Sequence, residues 1–247
     1  FAVVGVDAAG NKDEGAGDQG IMRGYDVRDT PELMPLEHSL AKSLCDYIYK
    51  EFPFDGKTQI TLDDNMLVHT IVASFQNTPK QALEEMIAAW VDDHQEQVRK
   101  GLTVHANPAG DWEQGGFDAD TGLTGRKLMV DNYGPRYAIG GGAFSGKDAT
   151  KVDRSGAYIA RKIAVEILKE HEELYDVAVE IAYAIGVAEP VAVNVIGTRM
   201  NGMKVRIDQE IKHDLTPGGI IEELKLREPI FEETARGGHF GRGFAWC

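Results

Sequence analysis

Apolar residues in this chain recur at two different periods, and the alternation between those periods sets the class of fold it can reach. Three stretches space them at helical intervals. Over 36–50 they fall at Leu36, Leu40, Leu44, Tyr47 and Ile48. Over 79–100, behind a Thr78-Pro79 start signal, they fall at Leu83, Met86, Ile87, Trp90 and Val91. Over 153–171, with Asp153 as N-cap, they fall at Tyr158, Ile159, Ile163 and Ile167. A short fourth helix is predicted over 219–226. Between these lie alternating or β-branched runs at 57–62, 67–75, 126–133, 176–185 and 191–198, each predicted as a strand. Strand pairs followed by a helix recur, which predicts an α+β fold with helices on one face of antiparallel sheets. The similar order in the two halves predicts two related domains, 1–118 and 119–247, meeting near Asp118.

The 247 residues, 43% of them hydrophobic, suffice to bury a substantial core. A formal net charge of −14 repels polyanions, so neither nucleic acid nor an anionic membrane is expected as a partner. Cys45 and Cys247 have no metal-ligand spacing and form no disulfide framework, which predicts a cytoplasmic protein. No apolar run approaches the roughly 20 residues of a membrane span. The opening "FAVVGVDAAG" lacks the basic and apolar regions of a signal peptide. Phe1 is not an initiator Met, and a further upstream region is expected.

Glycines concentrate in "GAGDQG" (15–20), "GLTGRK" (122–127), "GGGAFSGKD" (140–148) and "GGHFGRG" (237–243). Glycine permits close backbone approach to a ligand, and it equally serves plain turns. The charged company around these clusters separates the two uses. Arg126, Lys127, Lys147 and Lys151 stand beside Asp18, Asp120, Asp148 and Asp153 in an otherwise acidic chain. Such a set suits a magnesium polyphosphate, with cations on the oxygens and carboxylates on the metal. The other reading is a group of exposed salt bridges. A phosphate loop is rejected, because Asp148 stands where a Ser or Thr hydroxyl is needed and the helix starts too late. The glycines are instead predicted to form a mobile arch presenting Lys147 and Lys151.

Together "GAGDQGIM", "DTGLTGRKLMVDNYG", "GGGAFSGKDATKVDRSGAYIARK", "YAIGVAEP" and "GGHFGR" resemble the S-adenosylmethionine synthetases, or methionine adenosyltransferases. The resemblance implies that family's fold. A central-type domain, with the remnant of a lid loop at 1–14, would occupy 1–118, and a C-terminal-type domain 119–247. It also implies a reaction: the sulfur of L-methionine attacks C5′ of ATP and expels triphosphate, which is then hydrolysed to pyrophosphate and phosphate. A thioether needs no general base, and the burden falls on stabilising a highly charged leaving group.

By the same resemblance, Asp55, Gly56 and Lys57 in "DGKTQ", together with Arg126, Lys127, Ala143 and Lys147, bind ATP. Lys57, Arg126 and Lys147 serve catalysis at the polyphosphate, and Asp18 lies close to the substrate sulfur. Asp120 addresses both methionine and the nucleoside, Lys151 addresses methionine, and Asp153 holds Mg2+. Ile185 either packs on the adenine or is an ordinary core strand residue, since β-branched residues favour strands in any case. Mg2+ and K+ are the implied cofactors. A homodimer with active sites between subunits, or a tetramer, is the implied assembly.

The chain also departs from the family pattern. Asp111-Trp112 stands where an adenine-side Arg-Phe pair is usual, and Arg23 replaces an apolar aromatic. The family's first segment, with its His-Pro-Asp-Lys motif and a potassium-ligating Glu further on, has no counterpart among these residues. None of the seven histidines matches the one in that motif, and His239 is assigned a structural role. These departures support the alternative of a non-catalytic nucleotide-binding or regulatory subunit of the same fold.

Overall fold

The computed structural model describes residues 15–247; the expected lid-loop remnant at 1–14 lies outside them. In chain order the elements are β1 (Gly20–Val27), α1 (Leu36–Glu51), β2 (Gly56–Leu62), β3 (Val68–Phe75), α2 (Lys80–Asp93), β4 (Val98–Ala106) and α3 (Leu128–Asp131). They continue with α4 (Val152–Glu170), β5 (Leu174–Tyr183), β6 (Ala192–Arg199), β7 (Lys204–Arg206), α5 (Pro217–Glu223) and α6 (Phe231–Thr234). Two compact units result: one joins the residues up to Pro35 to Thr124–Cys247, and the other is Leu36–Leu123.

The first unit is built on an antiparallel sheet of order β1-β5-β6-β7. β1 pairs with β5 along its whole length, from Gly20 opposite Tyr183 to Val27 opposite Asp176. Compactness therefore groups residues 20–27 with the C-terminal half rather than with the sequence that follows them. Helix α4 lies against this sheet. Fourteen of its nineteen residues are buried, which makes it a central helix rather than a surface one. Small residues allow the close fit. A Cβ at Gly24 would stand 2.1 Å from the Ala160 carbonyl carbon, so any side chain there would push helix and sheet apart.

Two arginines of α4 are buried as well. Arg161 pairs with Asp26 of β1, both side chains wholly inaccessible, and donates to the carbonyls of Tyr25, Leu33 (3.1 Å) and Glu32 (2.9 Å). It thereby ties the 29–34 turn to the helix. Burial pushes the Asp26 carboxyl up from its ordinary range, with the Arg161 guanidinium opposing that shift.

In the second unit the sheet order is β2-β3-β4, with β2 antiparallel and β4 parallel to β3. The parallel pair follows from α2, which carries the chain back to the starting edge, as a parallel connection needs a crossover. Leu40, Leu44 and Ile48 of α1 and Leu83, Ile87 and Trp90 of α2 fill the core with Ile71, Ala73 and Phe75 of β3.

Several predicted elements are corrected. The helix expected over 79–100 ends at Asp93, where the His94 ring stacks on Trp90 at 4.0 Å, and the chain turns into β4. Residues 126–133 are not a strand but the single turn α3, with Met129 and Val130 exposed, because no neighbouring strand covers them. The short fourth helix, expected over 219–226, begins earlier, at Pro217, and ends at Glu223. Asp153 is not an N-cap: Lys151 precedes the helix, and Asp153 lies inside its first turn, where a carboxylate suits the helix dipole.

Candidate active site

In the first unit the glycine arch over 140–148 stands above the N-terminal turn of α4. Lys147 Nζ meets Asp153 Oδ2 in an ion pair that is partly shielded, the side chains being 28% and 15% exposed. Gly142 is the reason they can meet. A Cβ there would fall 2.2 Å from Asp153 Cγ, so the arch passes over the carboxylate only because that position is bare. A narrow cavity at this point is lined by Gly140, Gly142, Phe144, Asp153 and Arg23. Arg23 is matched across the β1–β5 ladder by Glu180, whose Oε1 lies 3.1 Å from Nε.

The other predicted residues of this unit fall around the same arch. A Cβ on Gly125 would stand 2.9 Å from that of Ala143, so the "GLTGRK" loop meets the arch directly beside Arg126 and Lys127, both exposed. At the other side, Gly17 fits under Lys151, with Lys151 Nζ 3.2 Å from where a Cβ would be. That contact sets the half-exposed Asp18 next to the start of α4. Asp148 faces inward to its own turn. It accepts from the Thr150 amide (2.8 Å) and hydroxyl (2.5 Å), and although burial would raise its pKa, these hydrogen bonds lower it below the usual carboxylate range.

Ile185 lies beyond the end of β5 and is 62% exposed. The core-strand reading of this residue is therefore wrong. Its neighbour Gly186 donates to the Ala16 carbonyl at 2.8 Å, and the Ala16 amide donates to Val187 at 3.0 Å. These two bonds join the "GAGDQG" and "IGVAEP" segments.

In the second unit, Asp55, Gly56 and Lys57 open β2, with Lys57 exposed. Gly56 tolerates no side chain, since a Cβ would enter the Phe75 ring at 2.3 Å. Gln76, which the sequence reading missed, ties this turn to the 111–116 loop. Its Oε1 faces the Asp55 amide at 3.4 Å and its Nε2 donates to the Glu113 carbonyl at 2.7 Å. Asp55 Oδ2 in turn accepts from the Gly116 amide at 3.1 Å. The Trp112 ring lies beside Gly115, where a Cβ would come within 2.9 Å of it. Asp111 has a partner of its own: it accepts from Nδ2 of Asn107 at 3.0 Å. Asn107, buried and at φ 41, also bonds to Phe75 and Thr78. Asp120 forms a local turn with the Gly122 amide at 2.9 Å.

The structure thus gathers Lys147, Lys151, Asp153, Arg126, Lys127, Ala143 and Asp18 around one arch, and Asp55, Gly56, Lys57, Asp111 and Trp112 at one end of the second sheet. A further missed residue is Arg154, buried under the arch; the sole signal for it was a charge on the apolar side of a predicted helix. The structural role expected of His239 is supported: it is buried, edge-on to Phe144 and stacked on Tyr158, and its carbonyl accepts from Trp246 Nε1 at 2.8 Å. Among the described residues no three His, Cys, Asp or Glu side chains converge as a metal cluster, and no helix is long and apolar enough to cross a membrane.

Residues 13–112 match the family model described as S-adenosylmethionine synthetase, central domain, and residues 114–247 match that described as S-adenosylmethionine synthetase, C-terminal domain. A protein of Rhodospirillum rubrum named S-adenosylmethionine synthase 2 is 41% identical, the match covering 98% of this chain and 69% of that protein. The S-adenosylmethionine synthase of Salinibacter ruber is 42% identical, over 98% of this chain and 68% of that one. A solved structure of an unusual S-adenosylmethionine synthetase from Campylobacter jejuni superposes with a TM-score of 0.83 at 32% identity, covering 94% of this chain and 69% of that one.

Proposed function

The chain belongs to the S-adenosylmethionine synthetase family, and on that premise we propose that it acts as a methionine adenosyltransferase, forming S-adenosylmethionine from ATP and L-methionine. A lone pair of the methionine sulfur forms the bond to C5′ while the C5′–O bond breaks and its electrons leave with triphosphate. Water then cleaves the triphosphate to pyrophosphate and phosphate. The sulfur carries no proton to remove, so what these residues must do is bind, orient and neutralise.

The observation that carries this reading is the Lys147–Asp153 pair beneath the bare Gly142 position. A cation and a carboxylate in contact are the two groups a metal-bound polyphosphate needs. Lys147, Arg126 and Lys127 would hold the polyphosphate, and the family resemblance assigns Lys57 to polyphosphate as well. Lys151 would address the methionine carboxylate, with Asp120 on the amino acid and nucleoside, and Asp18 near the sulfur. Ile185, exposed rather than in the core, is assigned to the adenine together with Trp112.

Magnesium fits the donor set. Mg2+ commonly takes one or two carboxylates and completes its shell with phosphate oxygens and water, and Asp153 offers one such carboxylate on the wall of the narrow cavity. When bound, it would withdraw charge from the leaving triphosphate. K+ is proposed from the family alone, with no ligand assigned in this chain. We further propose a homodimer with active sites between subunits, a central-type domain over 1–118 and a C-terminal-type domain over 119–247. A cytoplasmic setting is proposed with them, supported by the two free cysteines.

The test is to incubate full-length protein with ATP, methionine, Mg2+ and K+ and to look for the sulfonium product by mass spectrometry. Product formation is expected. Folded protein that binds ATP and forms none would replace this reading with that of a regulatory subunit.

A further inference from the structure

Below the arch runs a chain of buried hydrogen bonds whose members are outside the set assigned to substrates. Arg154 is 2% exposed and uses all three nitrogens. Nε donates to Tyr158 Oη at 3.0 Å, Nη1 to the Lys147 carbonyl at 2.7 Å, and Nη2 to Thr234 Oγ1 at 2.8 Å. The guanidinium also lies over the Phe231 ring, 3.6 Å from its centre. Tyr158 Oη, which accepts from Arg154, lies 2.7 Å from His239 Nδ1, and it donates there in the tautomer that carries hydrogen on Nε2. Nδ1 can accept only if it is unprotonated, so a neutral His239 carries its hydrogen on Nε2, which faces Ser145 Oγ at 3.4 Å. Burial, aided by the charges of Arg154 and Arg242, pushes His239 down to about 4, so this neutral form persists at pH 7.

The ends of this chain grip the arch on both sides of Gly146. Ser145 is held through its side chain and Lys147 through its carbonyl. Gly146 sits at φ +89, a conformation glycine adopts freely and would leave as freely. Anchors on its two neighbours remove that freedom before any ligand arrives. The expectation of a mobile arch is to this extent revised: its Lys147 end is tied to the core.

We infer that Arg154, Tyr158 and His239 are positioning residues for Lys147, fixing the backbone from which its ammonium meets the polyphosphate. The inference rests on the proposed role of Lys147. Apolar residues of equal volume would fill the same space, but they would hold neither the Lys147 carbonyl nor the Ser145 hydroxyl.

The test measures binding of inorganic tripolyphosphate, with Mg2+, to full-length protein by calorimetry, alongside thermal unfolding. Tyr158→Phe keeps the ring stacked on Trp246 and removes only the hydroxyl. It is expected to weaken tripolyphosphate about five- to tenfold, since the hydroxyl's two buried hydrogen bonds, with Arg154 and His239, are lost, and to lower kcat while leaving the KM for methionine unchanged. In a Lys147→Ala background the same substitution should have no further effect on affinity, because it acts through that lysine. His239→Gln, which can still reach Ser145 but not Tyr158 in the same geometry, serves as the second variant should Tyr158→Phe fold poorly, with the same outcome expected. Wild-type affinity in a folded variant overturns the inference, as does an equal loss in both backgrounds. Failure of the functional reading looks different: wild-type protein ignores tripolyphosphate, or Lys147→Ala binds it as wild type does, and either result removes the inference with it.

Discussion

The two compact units carry their charges in opposite ways. Around α4, Arg154, Arg161, Asp26 and His239 are all buried, whereas the described residues buried in the second unit include no charged side chain, and its buried polar groups are Thr78 and Asn107. Loops in both units present charged residues. The arch over 140–148 is fastened by a buried guanidinium and imidazole, while the 111–116 loop is fastened by Gln76 and Asp55 in partly wet hydrogen bonds. The contrast teaches that similar-looking glycine loops differ in how strongly they are coupled to the core. A buried polar anchor couples strongly, because losing it leaves groups with neither partner nor water; an exposed one does not.

The largest effect expected from this contrast is at Arg161. Arg161→Ala would leave Asp26 buried without its partner and take a donor from three carbonyls, of which Leu33 keeps the Val27 amide, a loss of about 3–5 kcal/mol. The exposed Lys57→Ala should stay within about 0.5 kcal/mol. Denaturant unfolding, with hydrogen exchange to assign the loss to a unit, measures both. A cost under about 1 kcal/mol at Arg161 would break the comparison.

A slightly smaller effect is expected from pH. His239 titrates near 4 when folded against an ordinary value of 6.5, so on acidification the unfolded chain takes up its proton first. The folded state then loses stability from about pH 6.5 downward, the loss being complete near pH 4 and amounting to about 3 kcal/mol. His239→Gln lacks this proton, and the stability gap between wild type and variant should move in the variant's favour by that amount between pH 7 and pH 4. A constant gap would mean that His239 is hydrated and not the buried anchor described above.

The smallest effect sharpens the other side of the comparison. Asp111→Asn retains the oxygen that accepts from Asn107 and should change stability by less than about 0.5 kcal/mol. Asp111→Arg loses that acceptor and should loosen the 107–112 turn by about 1 kcal/mol without improving the Michaelis constant for ATP. A clear gain in ATP affinity would instead put position 111 beside the phosphates, as its place in the family's Arg-Phe pair implies.

Long periodic segments were legible because burial itself writes the period. α1, α4, β3, β5 and β6 each begin and end within a few residues of their predicted limits. The second half of the predicted 79–100 helix was not legible, since "QEQVRK" carries no period and β4 is an exposed edge whose pairing comes from β3. β1 was hidden for a related reason. "GIMRGYDV" holds two glycines and two charges, and only the β5 partner and the Ala160 backbone explain them.

The chemistry of the arch was present in residue types alone: a polyphosphate chemistry requires lysine, arginine and carboxylate, and these are named in the sequence whatever the fold does. Tertiary structure alone decided who faces whom. Gly142 closed directly over Asp153, Asp148 turned to its own backbone, Ile185 came out of the core, and Asp111 acquired Asn107. The physical reason is range. Propensity and periodicity act over a few neighbouring residues, whereas the contact between Tyr158 and His239 spans 81 positions and exists only once the sheet and α4 have packed.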